Sequence, residues 1–353
     1  MRLVLLFLIL FFVDIEANGY PSNTMYGYTS CRTCHVSPTG GGVLTSYGKS
    51  TGDETATWSY EGESEFLHGA VVPPKWLSIG GDSRTAYIDY TSKDYKFKRT
   101  FPMQTDGEIA LLLSDQIAAV GSAGVYGEER KFASRRHYLL LTPKPSFTLR
   151  FGKFFPAFGI MVPDHTAITR KTLGFEQGFE SYNLEASITG KGGEFFITAV
   201  LGKDGELQSQ SEKGLTLRGA IYAGKSSQVG MSFLYLTGKD QARFAFGPYA
   251  LIGWDEKLYS LTEFDLQYIL TEDYVETYRK SQVGLNQVGY ELFKGFHLLA
   301  NLEYYSDVTT SNGIGIGAQW FPRPHFEFLW TYTRRTVNFQ SSDTTLAMFH
   351  YHF

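Results

Sequence analysis

The 353-residue chain has only 2 cysteines, 12 prolines and a charged fraction of 19%. Two cysteines cannot build a disulfide framework. Lysine and arginine total 32 against 36 acidic residues, a formal charge of −4. This mild acidity gives no reason to expect nucleic acid, whose partners present basic patches. Glycine is plentiful, at 37 residues, but shows no period, so a collagen-like repeat is excluded. An apolar content of 43% excludes a disordered chain. The sequence also lacks any apolar run of the roughly 20 residues that would cross a bilayer as a helix. It is rich instead in aromatics, with 28 Phe and 23 Tyr.

The longest apolar run, residues 3–13, follows Arg2 and precedes the small residue Ala17. Too short to span, it has the layout of a secretory signal peptide, expected over residues 1–17. A buried core helix is the competing reading, disfavoured by the starting Met and the missing polar face. The mature chain is therefore expected outside the cytoplasm.

Both cysteines fall in Cys31-Arg32-Thr33-Cys34-His35. Two thiols at this spacing can bond both vinyl carbons of a haem while the adjacent imidazole reaches the iron. A redox dithiol usually accompanies a βαβ pattern, which is missing here, and a zinc site would need a second ligand pair. The C-x-x-C-H motif resembles the attachment site of c-type cytochromes. The resemblance implies one haem c, covalently held by Cys31 and Cys34, with His35 as proximal iron ligand. A second axial ligand would favour electron transfer, because a saturated iron binds no substrate. Met25 lies close before the motif, whereas His68 has ample chain to return across the ring, so His68 is the expected sixth ligand. A solvated linker histidine is the alternative, with Met25, His137 or water completing the iron.

Residues 18–74 hold few large aliphatics, a marginal core that a covalent haem would complete. Gly40, Gly41 and Gly42 would let the backbone pass close to a planar group, or else form a plain linker. Pro73-Pro74 marks a boundary. The expected division is a periplasmic monohaem segment over 18–74 and a second unit over 75–353.

From Lys75 onward the chain reads as short runs of period two. Phe326, Phe328, Trp330 and Tyr332 alternate with Glu327, Leu329, Thr331 and Thr333; Tyr182, Leu184, Ala186 and Ile188 alternate with Asn183, Glu185, Ser187 and Thr189. Such alternation predicts strands with one apolar and one polar face. Sixteen runs are discerned, starting near residues 76, 103, 117, 137, 147, 182, 194, 215, 228, 243, 258, 282, 297, 313, 326 and 345. Long connections are expected at 91–102, 127–136, 153–181, 202–214, 237–242, 271–280, 306–312 and 334–344, with short turns between. Even strand number and long/short alternation predict an all-β, antiparallel, up-and-down transmembrane barrel, closed so that no backbone group is stranded in lipid. A propeller would show a blade repeat, and a soluble sandwich would leave its outward apolar positions uncovered.

The chain ends on Phe349, Tyr351 and Phe353 in alternation with His350 and His352. This ending resembles the last-strand signal of bacterial outer-membrane proteins, and residues 75–353 resemble the porin class. Residues 149–159 are weakly similar to a segment of phosphate-selective-type porins, too short a match to carry over a substrate. With the haem motif ahead of it, the whole chain resembles porin–cytochrome proteins. That resemblance implies a place in the outer membrane, electron transfer there, and redox partner cytochromes in the periplasm or at the surface. A solute-diffusion porin whose haem segment plugs, stabilises or senses is the alternative; the partners would then be small solutes in the lumen and outer-membrane lipid. Arg150, Glu185, Arg218, Glu263, Asp265, Glu303 and Glu327 lie on polar strand faces with both signs mixed, as expected of a solvated lumen wall rather than a catalytic set. No enzyme activity is expected. His165, beside Asp164 and Thr166, reads as a loop histidine.

Overall fold

A computed structural model describes residues 21–127, 130–161, 167–175, 178, 180–203, 211–239, 241–271 and 278–353. The expected signal peptide and residues 164–166 lie outside the described residues. The sheet opens with β1 (Leu77–Thr91), β2 (Lys96–Ser114), β3 (Ile117–Tyr126), β4 (Lys131–Ala133), β5 (His137–Lys144) and β6 (Phe147–Phe154). It continues through β7 (Ser181–Gly190), β8 (Gly193–Gly202), β9 (Lys213–Tyr222), β10 (Ser227–Thr237), β11 (Gln241–Gly253) and β12 (Leu258–Thr271). It ends with β13 (Tyr278–Phe293), β14 (Phe296–Ser306), β15 (Thr310–Arg323), β16 (Phe326–Val337) and β17 (Gln340–His352).

These 17 strands form one antiparallel sheet that closes where β1 pairs with β17, from Asp82 opposite His352 to Thr91 opposite Asp343. The short β4 and the following β5 both pair with β3, as two pieces of one interrupted stave. Counting them together, 17 less one, the wall has sixteen staves, as the alternation predicts.

The connections depart from the expected alternation. At 92–95, 307–309 and 338–339 the chain turns tightly: Thr91 faces Lys96, Ser306 faces Thr310 and Val337 faces Gln340. The polar residues there suggested loops but lie in strands, held by cross-strand pairs such as Lys98–Asp89 and Arg334–Asp343. Polarity marks where a strand leaves the apolar band, not where it ends. The connection over 155–180 is long, as expected.

Along β10, Val229, Met231, Phe233 and Tyr235 face outward and exposed, while Gln228, Ser232 and Leu234 are buried inside. Leu184 is exposed between fully buried Asn183 and Glu185. Apolar outside and polar inside is the reverse of a water-soluble fold and suits a wall set in lipid. Trp76, Trp254, Tyr290 and Phe293 stand exposed near the short-turn end, where interfacial aromatics belong.

The lumen is filled from both ends. The segment over 21–74 packs into the short-turn mouth. It carries a helix, α1 (Ser46–Thr55), capped by the Thr45 hydroxyl, which accepts from the Gly48 N–H at 3.1 Å. Thr24 Oγ1 donates to the Ser226 carbonyl at 2.8 Å, the Thr57 N–H to the Phe321 carbonyl at 2.8 Å, and His325 Nε2 meets the Glu63 carbonyl at 2.6 Å. From the long-loop end, residues 155–161 and a short helix, α2 (Ile168–Thr172), fold inward. Met25 and Ile160, one from each filling, share a buried cluster with Tyr249, Leu251, Tyr259, Leu261 and Leu299.

Candidate functional site

Cys31-Arg32-Thr33 forms a single 3-10 turn, and the Cys34 and His35 N–H groups both return to the Cys31 carbonyl. This winds both sulfurs and the imidazole into one compact loop. His35 then bridges antiparallel to Leu44, with the Val36 N–H on the Val43 carbonyl at 3.0 Å and the Thr45 N–H on the Cys34 carbonyl at 2.8 Å. The two cysteines are not joined to each other. Burial, reinforced by the Glu194 carboxylate, pushes the Cys31 thiol up to about 12.

The return from His35 to Leu44 needs its glycines. Gly40, at φ +81°, passes so close that a Cβ would stand 3.2 Å from the Cys31 sulfur and 3.8 Å from the His35 ring. Gly42, at φ +68°, would drive a Cβ to 2.0 Å from Glu108 Oε1. The triple glycine is thus a fixed left-handed passage past the motif rather than a loose linker.

The lumen wall grips this loop. The Val43 N–H donates to Glu108 Oε1 at 3.1 Å, and Arg136 pairs with the other Glu108 oxygen at 2.7 Å. Arg150 donates to the Ser37 and Thr39 hydroxyls at 2.9 and 3.2 Å and to Glu185 at 2.7 Å, stacked 3.7 Å above the Phe154 ring. Arg218 pairs with Glu194 and donates its Nε–H to the Gly159 carbonyl at 2.9 Å. The polar wall expected to be solvated is therefore largely packed and ion-paired: Arg150 is 2% exposed and Glu185 1%. Arg335 pairs with Glu303 and His350 with Glu327. Glu263 and Asp265 are buried as well, with the Asp265 oxygens and Glu263 Oε2 lacking hydrogen-bond partners.

Two cavities adjoin the motif. The larger, about 240 Å³, is lined by His35, Gly40, Met161, Arg136, Arg170 and His352 among others. The smaller, about 70 Å³, is lined by Cys34, His35, His297, His325 and His352. The donors fit a c-type haem: two sulfurs not tied up in a disulfide, an imidazole that opens on both cavities, and a backbone stripped of side chains beside them.

Of the residues read from the sequence, Cys31, Cys34 and His35 come together. His68 does not join them. Its Nε2 meets the Tyr351 hydroxyl at 3.2 Å, its ring packs against His325 with centroids 4.4 Å apart, and it lines neither cavity. Its backbone is left-handed, φ +57°. No ligand role was read for His297 or His352, although the alternation of His350 and His352 with Phe349 and Tyr351 sets that pair on the lumen face.

No protein-family model matches the chain, and no curated protein matches it. Solved structures do. A loop L8 deletion mutant of OmpT, an outer membrane protein of Vibrio cholerae, aligns at TM-score 0.65 and 11% identity, covering 78% of this chain and 99% of that one. An anion-selective porin from Comamonas acidovorans aligns at TM-score 0.60 and 10% identity, over 78% and 99%. The outer membrane channel DcaP of Acinetobacter baumannii aligns at TM-score 0.56 and 12% identity, over 78% and 97%. The chain thus has the fold of porin-like outer-membrane barrels.

Proposed function

We propose that the protein resides in the outer membrane and carries one covalent c-type haem within its barrel, serving electron transfer there. The observation that carries this reading is the placement of Cys31, Cys34 and His35: they sit inside the wall, within the N-terminal filling, not on a tail beneath it. Cys31 and Cys34 would hold the group by thioether bonds and His35 would ligate its iron. Bound there, haem supplies a one-electron couple. The surrounding residues seat it and keep water away: Arg150 clamps the loop after the motif, and Arg218 ties Gly159 of the inward connection to the wall beside Cys31. A lumen packed from both mouths suits electrons better than solutes. The haem would carry electrons part of the way across the apolar band, which is about 25 Å tall in such barrels. Partner cytochromes or surface acceptors would take over from there. The short-turn mouth, with the N-terminal segment, would face the periplasm.

A second reading, solute diffusion, is favoured by the likeness to an anion-selective porin and by the arginines along the larger cavity. Proteoliposomes with an enclosed electron acceptor separate the two. Haem-loaded protein should pass electrons from an impermeant external donor while sugars stay outside, and Cys31→Ala/Cys34→Ala should abolish that transfer. Rapid sugar-driven swelling without electron passage would sink the electron-transfer reading.

A further inference from the structure

A lumen haem ligated by His35 presents a second axial position, and the strands limit what can fill it. We propose that His352, the penultimate residue, is the second axial ligand of the iron; this rests on the haem reading above.

An axial imidazole needs a ring nitrogen free to bind. Most histidines among the described residues have theirs engaged. His137 has Nδ1 on Ser134 and Nε2 on Tyr182, both at 2.9 Å. His325 sets both nitrogens against main-chain carbonyls, of His352 at 2.7 Å and Glu63 at 2.6 Å. His350 lies between Glu327 at 2.7 Å and Asp82 at 3.1 Å. His68 is on Tyr351. The thioethers fare no better. Met161 Sδ accepts from Arg170 at 3.8 Å, and Met25 is enclosed in the apolar cluster with Tyr249 and Tyr259.

Two histidines remain. His297 and His352 each have a buried Nδ1 without a hydrogen-bond partner. His297 lines only the smaller cavity, its ring against Tyr259 and Phe321. His352 lines both cavities that His35 lines. A buried, unbonded imidazole nitrogen costs stability unless something claims it. An iron would claim it. His325 already holds the His352 backbone, its Nδ1 on the carbonyl and its own carbonyl accepting the His352 N–H at 3.0 Å. The ring is therefore placed by the wall, not by a mobile tail.

The test uses the full holoprotein. A haem stain on a denaturing gel comes first: an unstained wild type sinks the haem reading itself, whatever the ligand. Given covalent haem, the wild-type ferric protein should show the low-spin signature of two imidazoles by electron paramagnetic resonance. His352→Ala should become high-spin and return to low-spin when imidazole is added, which a packing role would not produce. His352→Met should stay low-spin with a raised potential. His297→Ala should keep the wild-type spectrum. A low-spin His352→Ala, a high-spin His297→Ala, or a wild type without two imidazoles each overturns the assignment. Should both His352 variants fail to assemble, the wild-type and His297→Ala spectra still decide it: two imidazoles in both sustain His352, and their loss in His297→Ala transfers the role.

Discussion

Arg150 and Ser37 are 113 residues apart in sequence yet meet in the lumen, Nη1 to Oγ at 2.9 Å. The same guanidinium holds Glu185, so one wall residue serves both a buried ion pair and the loop after the motif. Arg150→Met would leave Glu185 buried without its partner, a cost of about 3–5 kcal/mol. Loosening of residues 21–74 is the expected result, read as faster protease cleavage near Lys49 in detergent. Adding Glu185→Gln should recover part of the loss, because the two residues act as one unit. An unchanged cleavage pattern in Arg150→Met would mean the clamp contributes nothing to docking.

Removing residues 21–74 should raise single-channel conductance in planar bilayers, since that segment fills the short-turn mouth. Conductance that stays at the wild-type level would show that the inward connection over 155–161 closes the lumen unaided.

Gly42→Ala combines a left-handed backbone, costing about 1–2 kcal/mol for an L side chain, with a Cβ driven into the Glu108 carboxylate. The barrel should still form, as judged by its heat-modifiable migration, while haem stain per barrel falls. Gly107→Ala, at a position where a Cβ meets nothing within 4 Å, is the control. Equal haem content in both variants would refute a role for the glycine passage.

In haem-free chain, the Cys31 thiol raised to about 12 should resist iodoacetamide at pH 8. A raised thiol stays protonated below its own value, so labelling should climb steadily as pH approaches 12, by peptide mass analysis. Labelling at pH 8 as fast as an unfolded control would show that Cys31 is not shielded.

The barrel was legible because a wall between lipid and lumen imposes period two on every stave. All sixteen runs have their strand, although β2 starts at Lys96 rather than near Met103, and β4 escaped notice as a fragment. Connection lengths misled because charged hairpins above the apolar band read like loops. Burial of the lumen wall was not legible either. An arginine such as Arg150 looks the same in a sequence whether water or Glu185 faces it. Where the motif sits was not legible, since Ser37–Arg150, Val43–Glu108 and Glu63–His325 join residues far apart in the chain. His68 looked apt as a ligand by chain length alone, a criterion that ignores Tyr351 across the fold.

The seam between β1 and β17 also sets an order of events. Cys31 and His35 lie inside a hoop that becomes complete only when Asp82 meets His352, so the proposed haem would have to be joined to the cysteines while the chain is still open. Export from the N-terminus, as the expected signal peptide implies, would deliver residues 21–74 ahead of every stave, and β17 last of all. Chemistry on the leading segment has the whole interval of translocation in which to finish. A chain whose seam shuts early would be a barrel sealed around bare thiols, beyond later repair.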